Sequence, residues 1–225
     1  YAEVSATARE LATRHSGAEL ANQVARLRKQ LDEIVAIDFF GADGREPAEG
    51  LVSGLEADLQ KEGDAVIATE TKAASDPLSD PLKGRTWVTR QGVQVDRIAS
   101  AWLIRRFIDP EARFKFVPGT GYVAEPGELR FDMFEGEFTH RGDRCTFEVL
   151  LGEAGLDDPA LAAIAEIIHD IDLKDGKYGR EEAAGIRTLI SGIASSHNDD
   201  TQRLERGAVL LDDLHRSFTG KQGNK

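Results

Sequence analysis

Three short stretches of alternating side chains set the terms for the fold of this 225-residue chain. Thr86 to Arg90 alternates. Arg113 to Val117 alternates with Phe114 and Phe116 on one side, and Leu129 to Met133 does so with Leu129, Phe131 and Met133. A period of two predicts half-buried strands of a small sheet. Nearly everything else has a helical period. Val95, Ile98, Ala99, Trp102 and Leu103 form a helical stripe that Asp109-Pro110 stops. Phe147, Leu150, Leu151 and Ala154 predict a helix over 145–154, with Gly155 as its C-cap. Asp158-Pro159 is a cap and first-turn pair ahead of Leu161, Ile164, Ala165 and Ile168. Ala183, Ile186, Leu189, Ile190 and Ile193 predict a helix over 180–194. Asn198 or Asp199 caps a last helix carrying Leu204, Ala208, Leu211, Leu214 and Phe218, and 221–225 is a polar tail expected to be disordered. The fold class is α+β, helix-rich, with few and short strands.

The front of the chain has no strand signal. Leu20, Val24, Leu27, Leu31 and Ile34 make one apolar stripe. Gly17 separates an earlier short helix from it, and Gly41 and Gly44 mark a break. Pro47 then opens a second helix with Leu51, Leu55 and Leu59 on one face. The pair predicts an antiparallel helical hairpin, a support or homodimerisation element. Residues 65–73 extend a helix. The Ser/Asp-Pro repeat around Pro77 and Pro81 then bars helix. The expected organisation is a helical hairpin over 1–74, a linker over 75–84 and a second domain over 85–220.

Charge narrows the functions available. A formal net charge of -12 makes the chain a poor DNA binder, because such binding draws on Lys and Arg against phosphates. No apolar run reaches the length of a bilayer span, and the start has no signal peptide. The single Cys145 excludes an internal disulfide and a Cys-based zinc site, and fits a reducing, cytoplasmic setting. There is no GxGxxG, no phosphate loop, no HExxH and no GxSxG; Gly119-Thr120-Gly121 is too short to cradle a phosphate alone.

Arginine is the natural oxyanion ligand, always charged and offering a planar fork of donors. Arg90 closes the first alternating run. Arg97 opens the helix after it, in a first turn where free N–H groups favour an anion. Arg105 lies eight positions on, about 80° away in azimuth at ~100° per residue, so it can converge with Arg97, while Arg106 points away. His140 lies in a loop ahead of Gly142 and can charge near neutral pH. The expectation is a small polar pocket lined by Arg90, Arg97 and His140. The alternative is surface pairing with the chain's abundant carboxylates.

A metal site is the second candidate. His140 and Glu148 are too few ligands by themselves. His169 and Asp172 complete a set of four for a divalent metal if their helix packs beside the His140 loop. Glu166, His169 and Asp170 share a helix face, but Glu-x-x-His in di-metal bundles needs a matching second helix, and none is present. The plainer reading of that face is a solvated helix end. Cys145 reads as a buried, inert thiol.

Trp87-Val88-Thr89-Arg90, Val95 to Pro110, His140 to Glu148, and Ile168-His169-Asp170-Ile171-Asp172 together resemble the C-terminal domain of the bacterial chromate resistance family ChrB, over about 85–218. Ile37 to Phe40 and the Gly44-Arg45-Glu46 turn resemble the end of that family's N-terminal region. The resemblance implies a cytoplasmic, chromate-responsive transcriptional regulator of an efflux operon, with Arg90, Arg97 and His140 important for sensing. It implies a further N-terminal segment ahead of Tyr1 that carries most of the contact with operator DNA. Chromate is a tetrahedral dianion that two arginine forks and a histidine would suit. Sulfate shares its shape and charge, so discrimination would fall to size or to thiol reactivity.

Overall fold

The computed structural model describes residues 1–12, 18–38, 42, 44–45, 48–56, 59, 82–119, 122–133 and 136–222. Expectations for Gly17, Phe39 to Gly41, Pro47, 65–73, the linker up to 81, Thr120-Gly121 and 223–225 lie outside them. The chain divides into two compact units, one of Tyr1–Asp80 with Thr139–Asp143 and one of Pro81–Phe138 with Arg144–Lys225.

The N-terminal part of the first unit is mostly helical among the described residues. Helix α1 (Ala2–Ala12) packs on α2 (Ala18–Ile37), and a third helix, α3, covers 48–56. The expected stripe of α2 buries Val24, Leu27 and Leu31, and α3 buries Ala48, Leu51, Val52 and Leu55. Arg28 ties the two together, donating to both carboxylate oxygens of Glu56 and to Ser53 Oγ. A bidentate fork of this kind fixes geometry as well as charge.

The second unit is built on three parallel strands, β1 (Thr86–Arg90), β2 (Arg113–Val117) and β3 (Glu128–Arg130), in the order β2-β1-β3. Being central and parallel, β1 buries three consecutive residues, Trp87, Val88 and Thr89. It is therefore not half-buried as its alternation predicts, because both of its faces are covered. Val88 packs with Val117 and Met133, and Trp87 meets the rings of Phe131 and Phe138. The third alternating run is shorter than expected. After β3, Phe131 makes a single bridge to Phe138, and Asp132 turns the backbone at φ 46°.

Helix α4 (Val95–Leu103) joins β1 to β2 and is buried along its whole length. It touches α5 (Thr146–Glu153), α6 (Pro159–Asp172), α7 (Ala183–Ser196) and α8 (Asp200–Gln222). A helix enclosed on all sides must be apolar or internally paired all round: its apolar stripe is dense, and Asp96, Arg97 and Ser100 are hydrogen-bonded. The closest approach is at Gly207 of α8, where an added Cβ would stand 2.2 Å from Ile98 Cγ2. Asp158 caps α6 through Ala160 and Leu161 N–H, and Asp199 Oδ1 accepts Gln202 N–H at the start of α8. The polar tail is helical up to Gln222. No helix among the described residues is long and apolar enough to cross a membrane.

Past Leu103 the helix widens into a π turn, Ile104–Ile108, closed by Asp109 N–H on Ile104 O at 2.7 Å. The turn delivers Asp109, fully buried, to four donors: Gly84 and Arg85 N–H at 2.9 Å each, the Trp87 indole at 3.1 Å and Glu111 N–H at 3.2 Å. Burial pushes its pKa up, but the four hydrogen bonds outweigh this and hold it below the usual 3.8.

Two measurements follow. Gly207→Ala should lower stability by about 1–3 kcal/mol through overpacking against Ile98, while Gly192→Ala in α7, with open space around it, should be neutral or gain up to ~1 kcal/mol. For Asp109 the folded pKa is depressed, so its contribution is complete above pH 3.8 and lost as pH falls through the lower folded value. Asp109→Asn should cost about 2 kcal/mol at pH 7, and urea titrations should show the gap to wild type closing below pH 3.8.

Candidate functional site

Parallel strands place their loops on one side, and ligands of such sheets gather at the carboxyl ends. In the second unit β1 ends at Arg90, β2 at Val117 ahead of Gly119, and β3 at Arg130 ahead of Asp132. The first turn of α4 opens after the Gln91-Gly92-Val93-Gln94 loop, and Gln94 gives it no side-chain cap. Arg90 runs its stem past Gly119, where an added Cβ would lie 3.5 Å from Arg90 Cδ.

Arg97 is 2% exposed. Its Nε donates to Asp132 Oδ2 at 2.9 Å, and its Nη1 to the carbonyls of Gln91 and Gly92 at 3.3 and 3.2 Å. The guanidinium therefore lies against the two residues that follow Arg90. Asp132 Oδ1 also accepts from Thr146 Oγ1 at 3.3 Å. Asp96, next to Arg97, accepts the N–H groups of Thr146 and Phe147 and the hydroxyl of Ser100, at 3.1–3.2 Å. The start of α5 is thus held by two carboxylates distant in sequence, Asp96 satisfying two of its free N–H groups and Asp132 the Thr146 hydroxyl. A third carboxylate, Asp200, accepts Gly92 and Val93 N–H at 2.8 and 2.9 Å. Two backbone donors of the loop after β1 are thus engaged by a carboxylate of the same chain.

Arg105 is exposed; its guanidinium covers the Phe114 ring at 4.8 Å and lines a cavity of about 130 Å³ with Trp102, Arg106, Leu204 and Asp212. Arg105 lies within the π turn, where the regular 100° step on which its convergence with Arg97 was predicted gives way. His140 belongs to the first unit and is buried there. Its ring fills the space above Gly50 of α3, and its carbonyl that above Gly54 one turn on: added Cβ atoms would stand 2.7 Å from Nδ1 and 2.2 Å from O.

Glu148 and His169 do come together. His169 is fully buried, not at a solvated helix end, and its Nδ1 lies 2.6 Å from Glu148 Oε2. The same oxygen accepts Cys145 N–H at 2.9 Å, and Oε1 accepts the Tyr178 hydroxyl at 3.0 Å. Burial pushes the His169 pKa down, but the Glu148 hydrogen bond and the charges of Glu148 and Asp175 raise it overall. Glu148 is held low by His169 against the upward pull of burial. Cys145 is buried as predicted. Desolvation and the charges of Asp96, Glu148 and Asp172 push its thiol pKa far up, so it stays protonated.

Asp132, Asp96 and Tyr178 were not predicted, and Asp175 only faintly, as part of a loop turn with Asp172. Asp132 carried a signal, an acid interrupting the alternation of Leu129, Phe131 and Met133. Tyr178 carried none, because a loop residue reaching back across a helix leaves no periodic trace.

A family model described as ChrB, C-terminal domain, matches residues 87–218. A curated relative, Protein ChrB of Cupriavidus metallidurans, is 35% identical over 208 residues, covering 90% of this chain; the chain spans 62% of that relative's length. No solved structure matches.

Removing one member of the buried Arg97–Asp132 pair strands the other. Asp132→Leu and Arg97→Met should each cost about 3–5 kcal/mol by urea unfolding, and the double variant should be markedly less destabilised than the sum of the two.

Proposed function

The chain belongs to the ChrB C-terminal domain family, and from that premise we propose that it is the effector-binding portion of a chromate-responsive transcriptional regulator. Arg90 and Arg97 are the ligands. Arg105, whose guanidinium covers the Phe114 ring, serves in second place, and His140 is the third candidate ligand. Chromate is the effector, with sulfate as the competing anion. DNA contact falls to protein outside this acidic chain.

One observation carries the reading. Arg97 is a buried arginine, in the first turn of α4 and beside the loop that follows Arg90, and it already holds a carboxylate. A tetrahedral dianion can offer a guanidinium a pair of oxygens where Asp132 sets Oδ2 on Arg97 Nε, and it carries one charge more. The anion would therefore compete with Asp132 for Arg97. Asp132 is also bonded to Thr146, so displacing it changes the first turn of α5. That difference in contacts between two states is what an effector needs in order to shift an equilibrium. Cys145 is buried and held protonated, which leaves discrimination against sulfate to size rather than to thiol chemistry.

The test is isothermal titration of sulfate-free protein with chromate and with sulfate. Chromate should bind, and Arg90→Gln should weaken it by about ten- to a hundredfold, the worth of one charge-assisted contact. Cys145→Ser should leave it unchanged. An absence of heat with either anion, from protein shown to be folded, would remove the reading.

A further inference from the structure

The Glu148–His169 pair looks at first like a hydrogen bond fastening α5 to α6. Its surroundings suggest more. Cys145 Sγ, a Glu148 oxygen and a His169 ring nitrogen all lie within 4.8 Å of one another, and Cys145 and His169 are fully buried. The donors come from the start of α5 (Cys145 and Glu148, three apart) and the last turn of α6, and the contact between those helices fixes their spacing.

The second nitrogen of His169 makes the stronger point. With Nδ1 turned to Glu148, Nε2 faces Asp175 at 3.3 Å. A histidine with one nitrogen in a donor cluster and the other on an outlying carboxylate is arranged as metal-binding histidines are, the carboxylate setting the tautomer and ring orientation. The connection that supplies Asp175 is closely shaped. Its backbone takes positive φ at Lys174, Gly176 and Gly179, and Asp170 grips it by accepting Tyr178 and Arg180 N–H at 3.0 and 2.7 Å. Tyr178 is thereby laid edge-on over the His169 ring at 4.9 Å, while its hydroxyl reaches Glu148. It is 37% exposed.

We propose that Cys145, Glu148 and His169 form a binding site for one divalent transition metal of the zinc class, with Asp175 positioning His169 and Tyr178 covering the site. One sulfur, one nitrogen and one oxygen suit a borderline metal, and three protein ligands leave a fourth position open to water or another donor. The lone thiol excludes a site of several cysteines but not this mixed one. On binding, the Cys145 thiol gives its proton to solvent and the thiolate bonds the metal; the surrounding carboxylates, which oppose a free thiolate, are what a dication neutralises. Two ligands of a tetrahedral zinc lie about 3.3 Å apart at bond lengths of about 2.0 Å. Glu148 and His169 must therefore part from 2.6 Å by a fraction of an ångström.

Cobalt(II) added to the metal-stripped full chain is the probe, because a thiolate–cobalt bond gives a charge-transfer absorption that oxygen and nitrogen ligands do not. One equivalent should bind with that absorption. Cys145→Ser should abolish the band, and Asp175→Asn, which touches no ligand atom, should weaken affinity by about ten- to a hundredfold. Zinc(II) should raise the thermal midpoint of wild type in proportion to the logarithm of its concentration and should do so less in Asp175→Asn. Should His169→Gln fail to fold, these two variants still decide the matter. Folded wild type that takes up no cobalt, a band that survives Cys145→Ser, or affinity indifferent to Asp175→Asn would return the pair to a plain hydrogen bond between helices. Anion titrations read a different set of residues, so either result can fail without the other.

Discussion

A guanidinium that is 2% exposed has to find an anion, and the second unit is arranged around the one Arg97 finds. Asp132 reaches it only because the chain leaves β3 with a residue at positive φ, a conformation that costs a non-glycine residue about 1 kcal/mol or more and persists where its surroundings demand it. From Asp132 the hydrogen bonds continue to Thr146, and Asp96 completes the start of α5 from the next position along α4. Strand, helix and loop therefore meet through charge at the carboxyl edge of the sheet, while the apolar contacts of Trp87, Phe131 and Ile98 secure the rest. Buried pairs of this kind add little net stability over apolar groups of the same volume, but they discriminate strongly against arrangements that leave one charge alone.

The elements were legible in the sequence where one periodicity ruled. The two longer strands, the stripe of α4 and the starts of α6 and α8 fall where spacing and caps put them. The readings that missed did so for identifiable reasons. Alternation in β1 predicts one-sided burial, but in a central parallel strand both faces are covered and Thr89 is buried all the same. His169 was taken for an exposed end because it sits among Glu166 and Asp170. Yet it follows Leu161 and Ala165 at intervals of four, and that spacing carried its burial.

The candidate site was half legible. Arginine at a strand end and at a helix start pointed to the carboxyl edge of the sheet, where the structure sets both. The carboxylates that engage that edge did not show, because Asp132 and Asp200 approach from 35 and more than 100 positions away along the chain. In the first unit the His140 segment has an analogous history. Gly50 and Gly54, one turn apart on α3, leave a bare strip of backbone that receives it, and nothing in the loop's own sequence announces so close a seat.

The wide turn at Ile104–Ile108 has a consequence for how this region tolerates change in length. A π turn holds one residue more than the α-helix it interrupts, so everything after it is advanced by one position of winding. Asp109 meets Gly84, Arg85 and Trp87 only with that surplus residue counted in. Shortening the turn by one would restore a regular spiral and swing the carboxylate about 100° off its donors. The irregularity is therefore a register device, and indels within five residues of Ile104 are the ones this part of the chain can least absorb.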